Sequence, residues 1–149
     1  MSEKTVLVVF PSIYSSNKIN DLVSNISKIL KLQNQQYGKI RKNEPVIVIE
    51  ATDPVLASSS VNLLFGIEQI VIAKEVDTDF DSVLSTITNT AMNLLLKGER
   101  FYVKIDGKTK KFLAKDLEMA ATASLTDKGA TIEAKPGFES NHDRLVYAY

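Results

Sequence analysis

The chain has 149 residues, of which 44% are apolar and 24% charged, and its 18 basic residues balance its 18 acidic ones. This ordinary globular composition excludes a protein that coats nucleic acid by bulk positive charge, so that any contact with nucleic acid must come from a local patch. The absence of cysteine excludes disulfides and thiolate-bound zinc. Because the first apolar run is too short for a signal peptide or a membrane span, we expect a soluble, cytoplasmic protein without a membrane partner.

The first half of the chain alternates strand and helix patterns. Residues 5–10 form a β-branched apolar run closed by Pro11, which suits a strand buried on both faces. A helix follows, with Ser15 or Ser16 as its N-cap. The runs 37–42 and 45–51 then predict a hairpin.

A second helix is predicted to begin at Asp53-Pro54, a polar cap followed by a proline, and to end at Gly66. Residues 67–76 predict another strand, which completes the order βαββαβ of a ferredoxin-like unit. The polar residues 77–79 interrupt the pattern. We therefore predict an α+β protein with a ferredoxin-like domain at 1–76 and a smaller α/β domain at 77–149.

The second half opens with a long amphipathic helix that Asp79 caps and Gly98 ends. A strand at 100–105 has Phe101, Val103 and Ile105 on one face and Tyr102 and Lys104 on the other. Asp106-Gly107 predicts a tight turn. A helix at about 115–127 stops at Gly129, and the runs 129–134 and 144–149 predict two final strands.

Catalytic motifs are not found in the sequence. It contains no glycine-rich phosphate loop, and the one histidine, His142, lies in a polar loop where a surface role is expected. Acidic pairs such as Asp116 and Glu118 lie at helix starts, where the helix dipole favours carboxylates. We therefore predict no catalytic residue, no metal site and no cofactor.

Positive charge concentrates around the turn that follows the strand at 100–105. Between Lys97 and Lys115 there are seven basic residues and two acidic ones, a local balance of +5. Such a patch suits phosphate binding, and Tyr102 and Phe112 are aromatic residues that could stack on unpaired bases. Two alternatives remain open at this point: the lysines could protect a sheet edge from pairing, and Phe112 could anchor the core.

The order of the elements resembles the N-terminal ferredoxin-like and THUMP region of the tRNA 4-thiouridine synthetase family. Residues 55–91 look like the join between those two domains, including the phenylalanine-glycine-isoleucine step at Phe65 to Ile67 that ends a helix in the family. Residues 101–125 resemble the THUMP segment in which a basic strand leads through a loop into a helix. Residues 129–149 are similar to the paired closing strands of that domain, with Pro136 in the turn between them.

The resemblance implies a noncatalytic module that grips the acceptor stem and the 3′ single-stranded end of tRNA. The sulfur-transfer residues are absent, so the chemistry would come from a separate modifying enzyme or, if the THUMP domain is truncated, from a missing C-terminal part. The resemblance assigns phosphate contacts to the following basic residues: Lys104, Lys108, Lys110, Lys111, Lys115 and, more weakly, Arg100. One departure is that Leu113-Ala114 stand where the family has a serine or threonine helix cap.

Two further functions are left open by the sequence. The chain could be an adaptor whose acidic face docks on a tRNA-modifying enzyme without contacting RNA itself. It could also be a small-molecule enzyme with a site built from aspartate and lysine, although the fold alone does not support that function.

Overall fold

The computed structural model describes residues 4–43, 45–107 and 109–149. By its internal contacts the chain divides into two compact units, one that ends at Glu75 and one that begins at Val76. None of the helices within these described residues is long and apolar enough to cross a membrane.

The first unit contains four strands and two helices in the order βαββαβ. They are β1 (Lys4–Pro11), α1 (Ile19–Leu32), β2 (Tyr37–Asn43), β3 (Val46–Ala51), α2 (Pro54–Val61) and β4 (Ile67–Glu75). The strands form one antiparallel sheet in the order β2-β3-β1-β4. This is the ferredoxin-like arrangement, and the predicted α+β class is confirmed.

Strand β1 lies at the centre of this sheet and is buried on both faces, as its apolar run predicts. Leu7 and Val9 face the two helices and pack with Ile26 and Leu30 of α1. On the opposite face Val6 belongs to a second buried cluster. Because successive side chains of a strand point to opposite faces, only a continuous apolar run can supply both cores.

Two helix ends in the first unit differ from the prediction. Helix α1 begins at Ile19 with Lys18 in the cap position and no side-chain cap, so neither Ser15 nor Ser16 is the N-cap. The Ser15 hydroxyl instead donates a hydrogen bond to the carbonyl oxygen of Gly66. Helix α2 is capped by Asp53 as predicted but ends at Val61, and Gly66 takes a φ of +90° in the turn before β4.

The second unit contains three short strands and two long helices. They are α3 (Phe80–Leu94), β5 (Arg100–Ile105), α4 (Ala114–Lys128), β6 (Lys135–Pro136) and β7 (Arg144–Ala148). Strand β5 lies in the middle of the sheet, with β6 and β7 running parallel to it on either side. Both helices bury their apolar side chains with Phe101 and Val103, on one face of this sheet.

The predicted strand at 129–134 is wrong. Helix α4 ends at Lys128, and residues Ala130–Ile132 continue as a short 3₁₀ turn. Glu133 then has a φ of +58°, which is incompatible with a strand. The backbone N–H of Ala134 bonds back to the carbonyl oxygen of Gly129, so the segment closes on the end of α4 rather than extending.

The two closing strands do not pair with each other, and Pro136 does not lie in a turn between them. Pro136 is part of β6, which consists of two residues beside the start of β5. Strand β7 lies on the opposite side of β5 and pairs with it from Arg144 through Ala148. A proline in so short an edge strand costs little, because its missing N–H can face away from the ladder.

Candidate nucleic-acid interface

The basic segment begins at the C-terminal end of β5, runs through residues 106–113 and enters the first turn of α4. We call it the lysine loop. Lys104 lies near the end of β5, Lys110 and Lys111 lie in the loop, and Lys115 is the second residue of α4. Lys108 lies outside the described residues. Lys110, Lys111 and Lys115 are exposed, and Lys104 is half-buried.

Phe112 anchors the lysine loop to the core of its own unit. Its ring meets that of Phe80 edge to face, with centroids 5.7 Å apart and an interplanar angle of 84°. Phe112 also packs against the buried cluster between the helices and the sheet. Such edge-to-face contacts are favourable beyond the area they bury. Phe112 therefore packs against the core of its unit, which leaves Tyr102 as the aromatic candidate for stacking.

The carboxylate of Asp79, at the start of α3, interacts electrostatically with the lysine loop. Hydrogen bonds from Ser82, from both its side chain and its backbone N–H, lower the pKa of Asp79. The positive charge of Lys111 lowers the pKa further. The charge of Lys111 thus stabilises the ionised carboxylate of Asp79. Within the described part of the chain, however, no ion pair within 4 Å joins Nζ of Lys111 to Asp79.

The other ammonium groups of the loop are similarly unpaired. Among the described residues no carboxylate oxygen lies within 4 Å of Nζ of Lys104, Lys110 or Lys115. By contrast, Arg41 in the first unit is bound to Glu75 at 2.7 Å. Because no ion pair within 4 Å engages these three ammonium groups in the described part of the chain, they can release counterions when a phosphate binds.

Arg100 is not brought to the lysine loop. It begins β5 and lies four positions before Lys104, about 13 Å along the strand. Its Nε lies 3.4 Å from Oδ2 of Asp143, and its backbone N–H donates to the same oxygen at 2.8 Å. These two hydrogen bonds lower the pKa of Asp143. Arg100 therefore belongs to the opposite end of the strand and carries a compensated charge.

Two side chains tie the start of the lysine loop to neighbouring elements. Oε1 of Glu118 in α4 accepts a hydrogen bond from the backbone N–H of Ile105 at 2.9 Å. The hydroxyl of Tyr147 in β7 donates to Oδ2 of Asp106 at 2.9 Å. Burial, reinforced by this carboxylate, raises the pKa of Tyr147 to about 12, so the hydroxyl stays protonated and keeps donating at neutral pH. These two hydrogen bonds therefore fix the start of the lysine loop where it leaves β5.

The face of the sheet opposite the helices carries aromatic and aliphatic side chains. The parallel register places Tyr102 beside Leu145 and Lys104 beside Tyr147. The imidazole of His142 stacks on the ring of Tyr102, with centroids 5.6 Å apart and planes inclined by 24°. We call these five residues the outer face. Leu145 and Tyr147 remain 51% and 43% exposed.

Sequence reasoning missed three members of the outer face: His142, Leu145 and Tyr147. The alternation within 144–148 indicates that Leu145 and Tyr147 share a face, but not which face of β5 they extend. Only the parallel pairing of β7 with β5 settles that. His142 reaches Tyr102 because its loop folds back, with its Nδ1 3.0 Å from the carbonyl oxygen of Phe138.

The described residues offer no group of three or more histidine, aspartate or glutamate side chains that could hold a metal ion. The first unit has an open cavity of about 430 Å³ at the start of α1, whose lining includes Lys18, Asp21 and Lys42. Nζ of Lys42 is engaged by Asn20 at 2.6 Å. The hydroxyl of Ser16, which also lines the cavity, donates to the carbonyl oxygen of Ile13 at 3.2 Å and not to a base, so the described lining shows no nucleophile–base pair.

No protein-family model matches the sequence. No protein with a curated description matches it either.

Solved structures, in contrast, share the fold over nearly the whole chain. PH1313 from Pyrococcus horikoshii Ot3 superposes on 97% of this chain with a TM-score of 0.77 and 17% sequence identity. A 4-thiouridine synthetase solved as a complex with RNA and bound ATP superposes on 97% of the chain with a TM-score of 0.71 and 15% identity. The chain spans about half of the first protein, 51%, and 38% of the second. At this identity the likeness concerns the fold: the chain folds like part of an enzyme that has been seen bound to RNA.

Proposed function

We propose that the chain is a noncatalytic, THUMP-like tRNA-binding module that positions tRNA for a modifying enzyme. It holds the acceptor stem and the 3′ single-stranded end, and the chemistry is supplied by a partner protein or by a further domain. The observation that carries this proposal is the lysine loop, whose described ammonium groups lack carboxylate partners. The shared fold with a 4-thiouridine synthetase–RNA complex supports it.

The positions of the lysines argue against the simplest structural explanation of the cluster. Lysine on an exposed edge strand prevents sheets from pairing with their neighbours. Strand β5 pairs with β7 from Phe101 to Ile105 but with β6 only at Arg100 and Phe101, so this explanation applies to Lys104. It does not apply to Lys110, Lys111 and Lys115, which lie in the loop and in α4 and not on a strand. A phosphate ligand accounts for the whole cluster better than edge protection does.

Lysine side chains act on the RNA as positioning groups. Each ammonium that contacts a phosphate displaces condensed counterions, so affinity falls as salt rises. Four contacts, one for each described lysine of the loop, predict a slope of log affinity against log salt of about −3. Such contacts carry no base sequence information, which suits a module that must accept many tRNAs.

A charge-reversal titration tests this function. We expect the double variant Lys110→Glu and Lys111→Glu to bind tRNA more weakly and to reduce the salt slope by about two. The matched control is Lys28→Glu with Lys39→Glu, two exposed lysines of the first unit. Each surface change should alter the free energy of unfolding by less than about 0.5 kcal/mol.

The same titration should be run with tRNA that lacks its 3′ single-stranded end. Weaker binding of the truncated tRNA is expected. The proposal would be contradicted by an affinity that depends on neither the 3′ end nor the salt concentration. An equal loss of tRNA affinity in the control variant would also contradict it.

A second candidate function rests on the first unit, which exposes an apolar pair. Tyr14 and Phe65 are 76% and 87% exposed, with ring centroids 6.4 Å apart. Exposed aromatic residues are typical of protein-docking sites. The chain would then act as an adaptor for a tRNA-modifying enzyme. Retention of a modifying enzyme that is lost in Phe65→Ser, together with no retention of RNA, would favour this function.

A further inference from the structure

The outer face combines flat rings with an unpaired cation. The ring of Tyr102 is stacked on His142, and Leu145 and Tyr147 lie beside this stack on the adjacent strand. The helices α3 and α4 cover the other face, where the buried residues of β5 lie. Tyr102 and His142 are half-buried, whereas Leu145 and Tyr147 are 51% and 43% exposed. The face therefore offers aromatic and aliphatic area that a ligand could cover, and burial of such area is favourable.

Lys104 gives the outer face its charge preference. It lies two residues beyond Tyr102 on the same face of β5, about 7 Å along the strand, and has no carboxylate partner within 4 Å among the described residues. The lysine loop continues directly from this end of the strand. A ligand that matches the outer face is therefore flat, able to stack and negatively charged beside the flat part.

We propose that the outer face is a base-stacking platform for unpaired RNA: a base stacks on the Tyr102–His142 pair while Lys104 contacts the adjoining phosphate. This inference rests on the proposed tRNA-binding function and adds to it the contact that distinguishes single strands from duplex. In a duplex the bases stack on each other and their faces are not available, whereas unpaired bases can stack on aromatic side chains.

The polar tips of the rings favour RNA over an apolar protein segment as the occupant. Tyr102 carries a hydroxyl group and His142 an imidazole, the hydroxyl of Tyr147 donates to Asp106, and Lys104 lies beside Tyr147. The core of a protein–protein docking site is depleted of charged residues. Base stacking tolerates every base, because each has an aromatic face, so the platform requires a single strand but no particular sequence.

The experiment uses the full chain and two RNA probes. One probe is a hairpin with a four-nucleotide 3′ overhang that contains 2-aminopurine, and the other is the same hairpin with a blunt end. The variant Tyr102→Thr removes the ring but keeps a residue suited to a strand. Tyr102→Phe keeps the ring. Leu32→Thr is the control for the loss of an exposed apolar side chain, since Leu32 ends α1 in the first unit and is 76% exposed.

We expect Tyr102→Thr to bind the overhang probe about tenfold more weakly, which is the loss of one base–aromatic stack, and to bind the blunt probe unchanged. The quenching of 2-aminopurine on binding should disappear in this variant and persist in Tyr102→Phe and Leu32→Thr. His142→Ser tests the platform without a change in strand β5, and it should weaken the binding of the overhang probe but not of the blunt probe.

Three results would overturn the inference. An equal loss for both probes in Tyr102→Thr would show a structural role for the ring, and no loss for either probe would show that bases do not stack there. In both cases binding that still depends on Lys110 and Lys111 would leave the proposed function standing. If the wild-type chain binds neither probe, the proposed function fails first and the platform fails with it.

Discussion

Glu118 provides the sharpest test of how the lysine loop is held. Its carboxylate accepts the backbone N–H of Ile105, the last residue of β5, at 2.9 Å, and Glu118 is half-buried. A hydrogen bond to a charged acceptor contributes about 1.5–3 kcal/mol, and a buried donor left without a partner costs about 1–3 kcal/mol. Because water can reach a half-buried amide, we expect Glu118→Ala to lower the free energy of unfolding by about 1.5–2 kcal/mol.

The loss should be measured by urea unfolding, with amide hydrogen exchange at Ile105 as the local readout. Glu118→Gln keeps a carbonyl oxygen that can accept the same N–H, so it should recover most of the stability. Asp116→Ala is the matched control, because Asp116 is an exposed carboxylate in the first turn of the same helix. It interacts with the helix dipole alone, which contributes about 0.3–1 kcal/mol.

The comparison separates two physical explanations for acidic residues at this helix start. If Glu118→Ala costs no more than Asp116→Ala, the carboxylate acts through the dipole and the link from α4 to β5 is not important for stability. The same holds if exchange at Ile105 is unchanged. If the link is important, Ile105 exchanges faster in Glu118→Ala and remains protected in Asp116→Ala.

Two further predictions concern a turn in the first unit and the alkaline limit of stability. Gly66 has a φ of +90°, and an added Cβ would lie 3.0 Å from Cβ of Ser15, whereas Gly98, with a φ of +76°, has open space around it. Urea unfolding should therefore show that Gly66→Ala destabilises the chain by about 1–3 kcal/mol and Gly98→Ala by about 1 kcal/mol. Equal costs for the two variants would contradict the steric reason. Because the pKa of Tyr147 is raised to about 12 and an unfolded tyrosine titrates near 10, its contribution to stability is present below about pH 10 and is lost as pH rises toward 12. Tyr147→Phe should show a smaller loss of stability between pH 10 and 12, and an unchanged alkaline profile would refute this assignment.

Much of the first unit could be predicted because its signals are local. The apolar run of β1, the Asp53 cap before Pro54 and the positive φ of Gly66 each depend on a few neighbouring residues. The start of α1 could not be predicted in this way. A serine before an apolar stripe is an ordinary cap, but Ser15 bonds to Gly66, which is 51 residues away in the chain.

The candidate site shows the same division. Sequence alone determined where the positive charge lies and that Tyr102 and Lys104 share a face of β5, because these follow from counting and from the two-residue period of a strand. The tertiary structure decided that Phe112 packs in the core against Phe80, that Arg100 is engaged by Asp143, and that β5 is a central strand.

Only the tertiary structure also brought His142, Leu145 and Tyr147 beside Tyr102 and Lys104. The reason is physical: side-chain periodicity is set by the backbone of one segment, whereas the neighbours of a strand, their direction and their register depend on pairing between segments about 40 residues apart.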